Sequence, residues 1–202
     1  MRALLLVLFL ASGCATIPKD ARVPLTEDLK DVPPATLEIL DAAAFAGTWY
    51  VVATNFAYWQ TGDRTDVSFV YTPVPHDEHV ALDDQVLFKA RGKDRRFWGF
   101  DLQDPTRLGH FQWRGHGALR SITNQWYVVA LDPGGAWAVI YFSKSNVGTG
   151  QGLEIITRER APSDAVVAAA VAAIRADADL LERAADMVPV PQEGRTPDWD
   201  LP

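Results

Sequence analysis

The sequence predicts an all-β protein: an eight-stranded antiparallel up-and-down barrel with one α-helix packed outside it. Three observations carry this. Eight short β-branched and aromatic segments follow one another, turn residues link them closely, and a helical period appears only after the last of them. Strands joined by short links form a meander, and closing the meander into a barrel removes its exposed edges.

The chain begins with one positive charge at Arg2 and an apolar stretch from Ala3 to Ala11. That stretch is too short for a membrane-spanning helix of about 20 residues but has the length of a signal-peptide core. Leu10-Ala11-Ser12-Gly13-Cys14 follows, with small residues directly before the only cysteine. This resembles the lipobox of bacterial lipoproteins and implies cleavage after residue 13 and acylation of Cys14. Acyl chains bury CH₂ groups at about 0.8 kcal/mol each, enough for a stable anchor when more than one chain is attached. Ala15 is not the Asp that holds enterobacterial lipoproteins at the inner membrane, so the expected location is the outer membrane, on its periplasmic face. Residues 14–40 then form a Pro-rich tether carrying Pro18, Pro24, Pro33 and Pro34.

The barrel unit is expected over residues 41–194. Asp41 to Phe45 can form a helical turn, and strands follow at Trp49 to Ala57, Val67 to Tyr71, Gln85 to Ala90, Arg96 to Leu102, Leu108 to Arg114, Trp126 to Leu131, Ala136 to Phe142 and Leu153 to Thr157. Gly92-Lys93-Asp94, Asp104-Pro105 and Asp132-Pro133-Gly134-Gly135 supply turn chemistry between them. Ser163-Asp164 can cap one helix whose apolar stripe is Val167, Val171, Ile174, Ala178 and Leu181. Residues 195–202 form an extended tail.

Composition narrows the function. The 202 residues are 48% hydrophobic, with 7 Trp, 9 Phe and 5 Tyr, and carry 19 basic against 26 acidic residues, a formal −7. That is the wrong sign for a nucleic-acid partner. One Cys excludes an internal disulfide and a Cys-rich metal site. No Gly-x-Ser-x-Gly elbow marks a nucleophile, and no cofactor or metal is expected. His76 and His79 read as solvated residues of an acidic turn, and His110 has outward strand parity.

Three motifs in order carry a family resemblance: Gly47-Thr48-Trp49-Tyr50 opening the first strand, Asn124-Gln125-Trp126 before Val128 to Asp132, and Leu153 to Arg158 closing the last strand. Together with the order of elements they are similar to those of lipocalins, and the acylated terminus is similar to their bacterial lipoprotein branch. The second motif departs from the Thr-Asp-Tyr common in that family. The resemblance implies that Trp49 plugs one end of the barrel beneath the guanidinium of Arg158, with Gly47 beside it and Trp126 as a further structural signature. A guanidinium over an indole is worth about 0.5–2 kcal/mol.

The resemblance also implies a small hydrophobic or amphiphilic ligand, such as a fatty acid or lysophospholipid, held for carriage, storage or salvage in the envelope. Taking Tyr71 as inward, period 2 gives a lining of Phe69, Tyr71, Val86, Phe88, Phe111 and Trp113, with Trp98 and Phe100 added from the strand between. Arg96, Arg114 and Tyr71 are candidates for meeting a headgroup. Two alternatives stay open: an enzyme acting on a lipid or pigment, with Asp101 or Glu154 as acid or base, and an interaction protein with a filled barrel. The sequence leaves the oligomeric state undetermined.

Overall fold

The structure is a computed structural model describing residues 33–76, 80–143 and 145–202. Cys14, the leader, most of the tether and His79 lie outside the described residues. A four-residue helix α1 (Ala42–Phe45) precedes eight strands: β1 (Gly47–Thr54), β2 (Arg64–Val74), β3 (Ala81–Ala90), β4 (Lys93–Asp104), β5 (Arg107–Gly115), β6 (Thr123–Leu131), β7 (Trp137–Phe142) and β8 (Gly152–Thr157). Each strand pairs antiparallel with the next, β8 pairs with β1, and β1 pairs with β2, which closes the barrel. Helices α2 (Asp164–Arg175) and α3 (Ala178–Arg183) follow, and a two-residue strand β9 (Val188–Pro189) adds beside β1.

Strand alternation divides the apolar residues into two cores. Trp49, Val51, Phe69, Tyr71, Val86, Phe111, Trp126, Ile140 and Ile156 face the barrel interior. Their opposite-parity neighbours Tyr127, Val139, Tyr141, Leu153 and Ile155 face outward and are buried beneath Val167, Ala170, Val171 and Ile174 of α2. This is the period-2 logic of a strand with both faces covered.

The expected single helix is two. Asp177 accepts hydrogen bonds from the Asp179 and Leu180 amides, so it ends α2 and caps α3. The break shifts the phase of the stripe: Leu180 is buried at 4% exposure, whereas Leu181 is 42% exposed and Ala178 is also exposed. Ser163 stands at the N-cap of α2, but its hydroxyl makes no cap hydrogen bond, and Asp164 instead accepts from Trp199 Nε1 at 3.1 Å.

Both flanking segments join the fold. Leu37 bonds Val128 and Gly109 through its backbone, and the Leu40 carbonyl accepts from Gln103, so the end of the Pro-rich segment seals one end of the barrel. A bulge at Val52 frees its carbonyl for the Val190 amide at 2.8 Å, and Gln192 donates to the Val51 and Val67 carbonyls. In the tail, Arg175 pairs with Asp200 at 3.0 Å.

At the closed end, Trp49 is fully buried and its Nε1 donates to the Phe45 carbonyl at 2.8 Å. Arg158 lies 3.7 Å above its ring and also donates to the carbonyls of Thr48, Ala44 and Phe45. Gly47 adopts φ +102°, and a Cβ there would stand 3.1 Å from the guanidinium. A side chain would therefore be strained and crowd the arginine.

Candidate functional site

A cavity of about 260 Å³ occupies the other end of the barrel, between the β1–β2, β5–β6 and β7–β8 connections. Its floor is an aromatic stack. Trp126 lies parallel to Tyr71 at 5.5 Å and to Phe111 at 4.3 Å, which separates the cavity from the plug around Trp49. Phe69, Val86, Phe97, Trp113 and Phe142 form the walls, and Phe56, Tyr58 and Trp59 roof one side from the β1–β2 connection.

Of the lining expected from sequence, Phe69, Tyr71, Val86 and Trp113 are at the cavity. Phe88 and Phe111 are buried inside the barrel but off it: Phe88 packs behind Trp59 and Phe97, and Phe111 lies beneath Trp126. Trp126, expected only as a structural signature, also lines the cavity.

Trp98 and Phe100 are a correction: both lie on the outer face. The β3–β4 turn is Arg91-Gly92, both at positive φ, rather than Gly92-Lys93-Asp94. A two-residue turn of this kind fixes the register so that Val86 faces Phe97, Gln85 faces Trp98 and Asp83 faces Phe100. One residue of displacement moves every side chain of the strand to the other face. Outside the barrel, Trp98 Nε1 donates to Asp83, and both rings pack on His116. Arg96 and Arg114 share the outward parity, where Arg96 meets Gln85 and Arg114 donates to the Arg120 carbonyl. His110 is outward but buried, between Asp104 at 3.0 Å and Gln125 at 3.1 Å, stacked on Tyr127. Burial lowers its pKa against the pull of Asp104.

The corrected register brings acids inside. Asp84 pairs with Tyr71 across β2–β3 and lines the cavity, and Asp101 lies diagonal to it on β4. Burial, followed by the charges of Asp101 and Asp83, pushes the Asp84 carboxyl well above the ordinary range. Burial raises Asp101 to about 8, although Trp126 Nε1 donates to it at 2.7 Å. Glu154, on β8 beneath Trp59, is likewise raised by burial to about 8, with the Trp59 and Thr54 side chains opposing the shift. Tyr71 is pushed up by burial and by these three acids. The barrel therefore holds neutral carboxylic acids near pH 7. The lining expected from sequence lacks Asp84, as it lacks Phe97 and the roof residues Phe56, Tyr58 and Trp59. Asp84 shares parity with Val86 and Phe88, and extending that strand back two residues would have placed it inside.

No family model matches the sequence, and no curated protein matches it. Solved structures do. An insecticyanin from the tobacco hornworm Manduca sexta superposes with a TM-score of 0.61 at 13% identity, covering 83% of this chain and 89% of that one. H1 crustacyanin from the lobster Homarus americanus gives 0.53 at 18% identity, covering 75% and 79%. A siderocalin, described as functioning through dual ligand specificities, gives 0.51 at 17% identity, covering 74% and 95%. These neighbours are lipocalins, and the fold of this chain is lipocalin-like.

Proposed function

We propose that this chain is a lipocalin of the bacterial lipoprotein type, anchored through acylated Cys14 in the outer membrane, which captures a small hydrophobic or amphiphilic molecule in its barrel. The observation that carries capture is the cavity of about 260 Å³, lined almost wholly by aromatic and aliphatic side chains and opening opposite the Trp49 plug. Ligand pockets fall at roughly 300–1,000 Å³, so this one suits a small guest. A filled barrel would lack this space. Burial of apolar surface, at about 25 cal/mol per Å², drives entry. The ligand class expected from sequence is a fatty acid, lysophospholipid or related amphiphile, and the role is carriage, storage or salvage.

The described chain enters the barrel at its closed end, opposite the mouth. A tether of residues 14–32 reaches at most roughly 65 Å, longer than a ten-residue strand of about 33 Å. It is therefore long enough for the mouth to meet the bilayer. Native mass spectrometry of the protein purified from its own envelope tests capture: a co-purifying small-molecule mass supports it, and a uniformly empty barrel in the freshly isolated protein overturns it.

One observation favours a catalytic second reading. Asp84 is a cavity-facing carboxyl held neutral by its surroundings, a candidate general acid. Chemical change of a bound lipid or pigment, abolished in Asp84→Asn, would establish that reading, and recovery of the ligand unaltered would remove it.

A further inference from the structure

Among the described residues the cavity lining contains no Lys, Arg or His, and its single ionisable acid is Asp84. Two oxygens of that lining, Asp84 Oδ1 and Asn124 Oδ1, have no hydrogen-bond partner. Asp84 is only 4% exposed. A buried polar atom left unpaired costs free energy, so these atoms ask for a guest that supplies what they lack.

Strand register sets them in one band. Asp84 stands opposite Gly99 on β4, Asp101 opposite Trp113 on β5, and Trp113 opposite Asn124 on β6. A Cβ at Gly99 would fall 2.5 Å from Trp113 Nε1, so the absent side chain lets the indole lie across β4 towards Asp84. Asn124 donates through Nδ2 to the Ser143 carbonyl, which fixes its Oδ1 as the unpaired acceptor. Behind the band, Asp101 has one oxygen bound to Trp126 and the other unpaired. Tyr71, Phe97 and Trp126 line the same cavity.

We propose that the barrel receives a ligand whose buried polar end is a protonated amine, its nitrogen donating to Asp84 Oδ1. The inference rests on the capture reading and specifies its ligand class as cationic amphiphiles or small aromatic amines. An ammonium brings three donors and no acceptor, matching the unpaired Asp84 oxygen. A fatty-acid carboxylate at the same place finds no cation among the described lining residues and would be buried unpaired at low dielectric. When the ammonium binds, a carboxyl that is neutral in the empty barrel ionises and releases its proton, and the Trp113 N–H approaching Asp84 favours that charged form. The titratable groups facing Asp84 are Tyr71 on β2 and Asp101 on β4. Asp83 acts from the outer face of β3, and Glu154 on β8 reaches the cluster through Tyr71.

The test is calorimetric titration of the delipidated protein with decylammonium, decanol and decanoate, three probes with one tail. The expected order at pH 7 is decylammonium tighter than decanol by at least about tenfold, as for a charge-assisted hydrogen bond, with decanoate weakest. Decylammonium binding should release a proton, read as a buffer-dependent heat, and should tighten from pH 6 to pH 8. In Asp84→Asn the preference for decylammonium over decanol should collapse. Decanoate or decanol binding the wild type as tightly as decylammonium overturns the proposal and leaves capture standing. Binding of none of the three overturns capture itself. The wild-type series decides the matter even where the variant fails to fold.

Discussion

At the scale of single residues, the plug and the acids make opposite demands on stability. Trp49 is fully buried under Arg158 and bonded to the Phe45 carbonyl. Trp49→Ala should cost about 3–5 kcal/mol in urea unfolding, as large aromatic deletions do; an unchanged midpoint would contradict its place at the barrel base. Asp101 and Glu154 work the other way. Their carboxyls are raised from ordinary values to about 8, so between roughly pH 4 and 8 the folded state holds protons that the unfolded chain has released. Stability therefore falls as pH rises through that window. Asp66 has the reverse sign. Burial opposes its ionisation, but the Glu193 amide and Lys89 outweigh that and lower its pKa, so its contribution is present above the usual carboxylate range and lost below it. Unfolding free energies at pH 5, 6.5 and 8 should decline for the wild type and decline less steeply for Asp101→Asn. Parallel slopes for the two proteins would show that Asp101 is not neutral in the native barrel.

At the scale of elements, register is decided at turns and caps. Arg91-Gly92 rather than Gly92-Lys93-Asp94 forms the β3–β4 turn, and that difference puts Phe97 and Asp101 inside and Trp98 and Phe100 outside. Both parities of this strand offered large aromatics, so hydrophobicity alone had no means of choosing between them. The turn offered the only local signal, and several of its residues tolerate positive φ. The helix repeats the lesson. A stripe continued at 3.6 residues through Asp177 selects Leu181, but the Asp177 side chain caps a new helix and Leu180 takes the buried place. Leu180→Ala should therefore cost about 2–5 kcal/mol, and Leu181→Ala should stay within about 0.5 kcal/mol of wild type. The reverse order in thermal unfolding would mean one continuous helix.

Across the whole molecule, one chain serves two surfaces with separate chemistry. The barrel interior is aromatic and acid-bearing, while its outer wall is covered on one side by α2, α3 and the C-terminal strap. On the proposed lipoprotein reading, removal of residues 1–13 would take away Arg2 and leave 18 basic against 26 acidic residues, a formal −8. Charge would then repel the protein from anionic headgroups, and attachment falls to the acyl chains. Cys14→Ser should move the protein from the membrane pellet to the soluble fraction of the cell envelope. Retention of the variant in washed membranes would assign the anchor elsewhere.

By itself the sequence determined the architecture: eight strands, their order and the helical segment after the last, because alternation and turn chemistry are local properties of the chain. The Gly47, Trp49 and Arg158 plug followed only from the resemblance of the chain's three motifs to those of lipocalins. The sequence also supplied four of the cavity-lining residues, Phe69, Tyr71, Val86 and Trp113, by parity within single strands once Tyr71 is taken as inward. Only the tertiary structure decided which face β4 presents, that Asp84, Asp101 and Glu154 are enclosed without a cation, and that Leu37, Leu40 and the C-terminal segment belong to the barrel wall. Those outcomes depend on pairings between distant strands. The environment of a buried acid is built by the elements around it, and nothing in its own neighbourhood of sequence records what they are.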